Sequence, residues 1–89
     1  MRIIKSPIAT KKYRAIFDDG SHTDFGAAGY TDFTINKDPK KKAAYIARHR
    51  STENWNDYRS AGSLSRWILW NKKSLSESIV DYKKRFGFK

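Results

Sequence analysis

Asp38-Pro39 divides this chain into two halves that follow different periodicities. Before it, apolar residues tend to recur at every second position. After it they recur at every third and fourth, so neither an all-β nor an all-α fold accommodates the whole sequence. The pair is also a helix start, because the Asp38 carboxylate can accept from the first free amides while Pro39 needs no amide partner at the first helical position. With 89 residues there is room for one core. The expectation is a single α+β domain over residues 1–89, with an N-terminal β-hairpin or small three-stranded antiparallel sheet packed with three C-terminal helices.

In the front half, Tyr13, Ala15 and Phe17 alternate with Arg14 and Ile16 and lead into Asp18-Asp19-Gly20. Gly20 can take a positive φ there, and Ser21–Phe25 returns as the second arm of a hairpin. Ile3 and Ile4 add a short strand that Ser6-Pro7 ends. Gly26, Gly29 and the alanines between them permit a tight path into Tyr30–Ile35, a strand or a loop whose Phe33 and Ile35 are expected beneath the sheet.

Helical signals fill the back half. The first helix should run from Pro39 to about Arg50, followed by a turn-rich connection, Ser51–Ser60, with Trp55 as its aromatic anchor. A second helix is expected near Ser63–Asn71. Leu64, Trp67 and Ile68 share one side of it, and Leu69 and Trp70 cover much of the rest, so it should be central and buried. Ser74 and Glu77 have capping-box spacing for a third helix, whose Leu75, Ile79, Tyr82 and Phe86 form one stripe before Gly87 ends it.

Charge is distributed as unevenly as periodicity. Residues 1–36 hold five lysines and arginines against four aspartates, whereas residues 37–89 hold fourteen against five. Such an excess is self-repelling, and a polyanion, most commonly nucleic acid, is the partner that relieves it. On a helical projection Ala43, Ile46 and Ala47 fall on one side of the first helix and Lys41, Lys42, Arg48 and His49 on another, with Tyr45 in the middle of the basic arc. An aromatic within cations is a nucleic-acid pattern, although Tyr45 can equally lie flat against the core edge. Lys40, Lys41 and Lys42 occupy the first turn, where the helix dipole disfavours cations, and with the free amides they would form a phosphate-binding end.

The candidate nucleic-acid contacts are thus Lys40, Lys41, Lys42, Tyr45, Arg48 and His49. Additional basic contacts are Lys72, Lys73, Lys84 and Arg85, for which solvation or capping is the simpler account. Trp67 and Trp70 read as core residues and not as base-stacking platforms, while Trp55 is open to either role. A continuous positive groove with buried tryptophans would favour nucleic-acid binding, and an exposed Trp55 or Tyr30 in an apolar patch would favour protein contacts.

Other classes find little support. Without cysteine there are neither disulfides nor thiolate ligands. His22 and His49, the two histidines, lack zinc-site spacing, and Asp18 and Asp19 are explained by the turn. No enzyme activity, metal or cofactor is expected. The apolar run Trp67–Trp70 is far too short to span a bilayer, and Met1–Lys5 lacks the apolar stretch of a signal peptide, so neither membrane insertion nor secretion by that route is expected.

Longer stretches carry a resemblance. These are His22–Ala27, Gly29–Thr34, Lys37-Asp38-Pro39, Tyr45–Arg50, Glu53-Asn54-Trp55, Ala61–Lys72 and Asp81–Phe86. Over about residues 10–87 the chain resembles a family of small basic proteins, without an assigned function, encoded by nucleocytoplasmic large DNA viruses. Lys40–Lys42 and Lys73 stand where such sequences are expected to carry proline or acidic residues, so this chain resembles a more cationic member. The resemblance implies a viral protein, located in the virion or inside the infected host cell. Its implied partners are DNA to be condensed or other virion proteins, as for a minor capsid or internal scaffold component.

Overall fold

The turn at Asp18-Asp19-Gly20 sets the sheet. Gly20 takes a φ of 87°, the Phe17 amide donates to the Ser21 carbonyl at 2.9 Å, and the Ser21 amide donates to Asp19 Oδ1 at 2.9 Å. On either side of it, β2 (Lys11–Ile16) and β3 (His22–Ala27) run antiparallel with Tyr13 opposite Phe25 and Ala15 opposite Thr23. The other edge of β2 is taken by β1 (Arg2–Lys5), which places Ile3 opposite Ala15. The result is the small three-stranded antiparallel sheet of the α+β expectation. In this computed structural model, residues 1–88 are described.

The pleat separates two chemistries. Ala15, Phe17 and Phe25 face the core, where they are buried, while Arg14 and Asp24 pair on the other side through Arg14 Nε and Asp24 Oδ1 at 3.0 Å. Arg14 and the Ser6 hydroxyl, which donates at 2.7 Å, hold the Asp24 carboxyl below its usual range.

Gly26 is where the sheet meets the helices. Its φ is 78°, and a Cβ there would stand 2.8 Å from Leu69 Cδ1 and 3.2 Å from Lys12 Cβ. A Gly26→Ala substitution therefore combines a strained backbone with an overpacked contact, and it is expected to destabilise the fold by about 1–3 kcal/mol. Urea unfolding would measure this, and a variant as stable as the parent would show that β3 and the Leu69 segment are not in close contact.

Tyr30–Ile35 is neither strand nor loop throughout. Asp32 caps a single helical turn, α1 (Phe33–Asn36), by accepting from the Thr34 amide at 2.9 Å. Successive odd positions of a helix point roughly opposite ways, so Phe33 is buried while Ile35 is 63% exposed and does not lie under the sheet. The helix α2 (Pro39–His49) follows, with Asp38 as its cap.

The connection after α2 is anchored on the central helix by Trp55, edge-on to Trp67 at 6.5 Å, and on the sheet by two further residues. Trp55 is half-buried, and the ties to the sheet are Tyr58, edge-on to Phe17 at 5.7 Å, and Arg59, which lies 5.0 Å from the Phe17 ring centre and donates to Asp19 at 2.7 Å. The Ser21 hydroxyl and Arg59 together hold the Asp19 carboxyl well below the usual carboxylate range.

The central helix is not regular. It begins as α3 (Ala61–Leu64), capped by Ser60, and widens into a π turn over Ser65–Leu69 that closes with the Trp70 amide on the Ser65 carbonyl at 3.0 Å. The wider turn lets Ile68 and Leu69 both enter the core while Trp70 points towards α2. The final helix, α4 (Leu75–Phe86), starts at Ser74, whose hydroxyl accepts from the Glu77 amide at 3.2 Å, and ends at Gly87 with φ 76°. Its Leu75, Ile79, Tyr82 and Phe86 stripe packs on the cluster formed by Ala15, Phe17, Phe25, Leu64, Ile68 and Leu69.

Candidate functional site

The inward face of α2 carries Lys42, Tyr45 and His49. Tyr45 is only 7% exposed, with its ring stacked on Trp70 at 4.6 Å and 6° and a second contact to the His49 ring at 4.4 Å. Ala43 and Ala47 face solvent. Of the two roles open to Tyr45, the structure shows packing against the core edge. An indole supplied by the π turn offers more apolar area to Tyr45 than the sheet could offer to alanines. Burial pushes the Tyr45 phenol up to about 12, and with both neighbours in place its ring presents no open face to a nucleic-acid base.

Lys42 and His49 follow Tyr45 inward. Lys42 Nζ donates to the Asn71 carbonyl at 2.8 Å and lies 4.9 Å from the Phe33 ring centre, so it ties α2 to the segment after the π turn. Its burial, followed by the nearby Arg66 and Lys72 charges, lowers its pKa. His49 Nδ1 lies 3.2 Å from Glu53 Oε1. At the start of α2, Asp38 Oδ1 accepts from the Lys40 amide at 2.9 Å, so one of the first free amides is already taken. Of the six expected contacts, Lys40, Lys41 and Arg48 remain exposed, and Lys42, Tyr45 and His49 serve packing.

Because α2 is held by Trp70, Asn71 and α1, it stands off the sheet, leaving a cleft of about 600 Å³. Gly26, Ala44, Gly62, Leu69 and Trp70 form apolar parts of its wall. Two acids line it, and both are engaged: Asp32, 2% exposed, accepts from Lys12 Nζ at 2.5 Å, and Glu53 accepts from the Trp55 indole at 2.9 Å as well as contacting His49. Lys11, Lys41 and Arg48 also line it, exposed, and none has an ion-pair partner among the described residues. The cleft is thus net positive, with three unpaired cations against Glu53, whose partners are an indole and an imidazole.

Tyr30, 74% exposed, lines the same cleft. It is an open aromatic among cations, the role assigned from sequence to Tyr45. The available signal was Gly29, whose φ of 85° turns the chain just before Tyr30. Lys11 was missed because the front half is nearly neutral overall, although its lysines are not all paired.

The remaining cations lie elsewhere. Lys72, Lys73 and Lys84 are exposed but do not line the cleft. Arg85 sits 3.6 Å from the Trp67 ring centre and 3.5 Å from Asp81 Oδ2. Arg66 lies 4.1 Å from the same ring, and burial together with the Arg85 charge lowers its pKa. Trp67, covered by these two arginines, and Trp70, stacked on Tyr45, are both half-buried and part of the packing.

Among the described residues no three His, Asp or Glu side chains gather to hold a metal ion, and no helix is long and apolar enough to cross a membrane. Comparison with protein families finds one match, a family of unknown function (DUF5754), over residues 1–49. The chain belongs to that family. The DUF5754 match runs from β1 to the end of α2 and so includes Lys11, Tyr30, Asp32, Lys41 and Arg48 of the cleft, while Leu69 and Trp70 lie beyond it. No curated protein and no solved structure matches the chain.

Proposed function

We propose that this DUF5754 protein is a non-enzymatic, non-sequence-specific DNA-binding or genome-packaging protein of a large DNA virus. The viral assignment rests on the long stretches of resemblance from His22 to Phe86. The binding assignment rests on one observation: the acids of the cleft are engaged internally while Lys11, Lys41 and Arg48 are not. Lys40 extends that surface along the exposed side of α2. Lysines neutralise phosphates without reading base edges, so affinity should vary little with sequence.

A salt series of binding to random-sequence duplex DNA tests this. With about four phosphates contacted, log Kd should change with log salt at a slope of magnitude about 3–4. A flat series would overturn the reading. Exposed Ile35 and Tyr30 favour a second reading, a minor capsid or internal scaffold protein held by protein contacts. That reading expects salt-insensitive self-association in place of DNA binding.

A further inference from the structure

The cleft has a shape that a duplex cannot use fully. At about 600 Å³ it falls within the range of sites that enclose a small organic molecule, roughly 300–1,000 Å³. Ala44 keeps the α2 wall small, Gly26 and Gly62 lie close against Leu69 and Glu53, and Leu69 and Trp70 supply apolar wall. Lys12 and Asp32 pair with each other, and Glu53 is hydrogen-bonded to Trp55 and contacts His49, so the polar groups of the interior are occupied and a flat uncharged ring need not satisfy them. The unpaired cations belong to exposed residues, with Lys41 and Arg48 about two turns apart on α2 and Lys11 contributed by the sheet. Tyr30 stands open among them.

An uncharged planar group flanked by anions is the chemistry of an unpaired nucleotide in a strand. We infer that the cleft takes one unpaired base of a single-stranded nucleic acid, with Tyr30 stacking on that base or its neighbour and Lys11, Lys41 and Arg48 neutralising the adjoining phosphates. The inference rests on the nucleic-acid reading above and narrows it. Paired bases stay stacked within a duplex, which engages the outer cations alone, whereas a flexible strand engages both the cations and the cleft.

The test compares a labelled strand of about 15 thymidines with a random duplex of the same length, at one salt concentration, by fluorescence anisotropy. The strand should bind at least about tenfold more tightly, and Tyr30→Ala should remove most of that advantage while leaving duplex affinity within about twofold. Because Tyr30 is largely exposed, this variant should fold as the parent does. Equal affinity for strand and duplex, or a Tyr30→Ala variant that binds the strand like the parent, would overturn this inference and leave general DNA binding standing. Failure of the parent to bind either polymer would overturn both. Competition by thymidine monophosphate as effective as by the strand would show a nucleotide site and overturn the strand assignment.

Discussion

A Tyr82→Ala variant is expected to lose most of its folding stability and to be at best marginally stable at ambient temperature. Tyr82 is fully buried, its ring is 4.8 Å from Phe86 and 6.1 Å from Phe88, and its hydroxyl donates to the Tyr58 carbonyl. Burial raises its phenol well above the ordinary tyrosine value. Removing a buried aromatic ring costs about 3–5 kcal/mol, and a domain this small has stability near the lower end of about 5–15 kcal/mol. Tyr82→Phe keeps the ring and strands one carbonyl, so it should cost only about 1–2 kcal/mol. Circular dichroism during urea unfolding distinguishes the two. If Tyr82→Ala were nearly as stable as the parent, α4 would not be what closes the core over the sheet.

The same residue shows what can be read locally. The Leu75, Ile79, Tyr82 and Phe86 stripe, the Asp38 and Ser74 caps, Gly87 at the helix end and the Asp18-Asp19-Gly20 turn all depend on neighbours within a few positions. Their chemistry is complete in the sequence. The orientation of α2 is not, because its helical projection offers either an alanine side or a tyrosine side, and the choice is made by Trp70, twenty-five positions beyond Tyr45. The π turn has no such local signal: Ser65–Leu69 reads as an ordinary helix.

The cleft was illegible for a related reason. Its walls come from β2, β3, α2 and the central helix, and it exists because the Tyr45–Trp70 stack and the Lys42–Asn71 hydrogen bond set α2 away from the sheet. Charge counting found α2 but could not separate a lysine spent on packing, Lys42, from one left free, Lys41. The α1 turn was more accessible, since Asp32 two residues before Thr34 is a cap spacing.

A Lys41→Glu/Arg48→Glu double variant should bind duplex DNA about 100-fold more weakly than the parent at low salt, a loss of roughly 2.7 kcal/mol. Two favourable phosphate contacts become repulsive, which lowers the magnitude of the salt slope by about 2. Folding should be nearly unaffected. Glutamate at position 41 improves the first turn through the helix dipole by about 0.3–1 kcal/mol, and glutamate at position 48 worsens the last turn by a similar amount. Neither side chain is buried or ion-paired among the described residues.

Binding to one surface is separated from attraction to net charge by a matched control, Arg2→Glu/Lys84→Glu, which changes total charge equally at two exposed residues outside the cleft. The decisive measurement is duplex affinity of the two double variants side by side at one low salt concentration. An approximately 100-fold loss for Lys41→Glu/Arg48→Glu, against a loss of no more than about threefold for Arg2→Glu/Lys84→Glu, is the predicted result. Equal losses in both variants, or no loss in either, would contradict the assignment of DNA binding to the cleft cations.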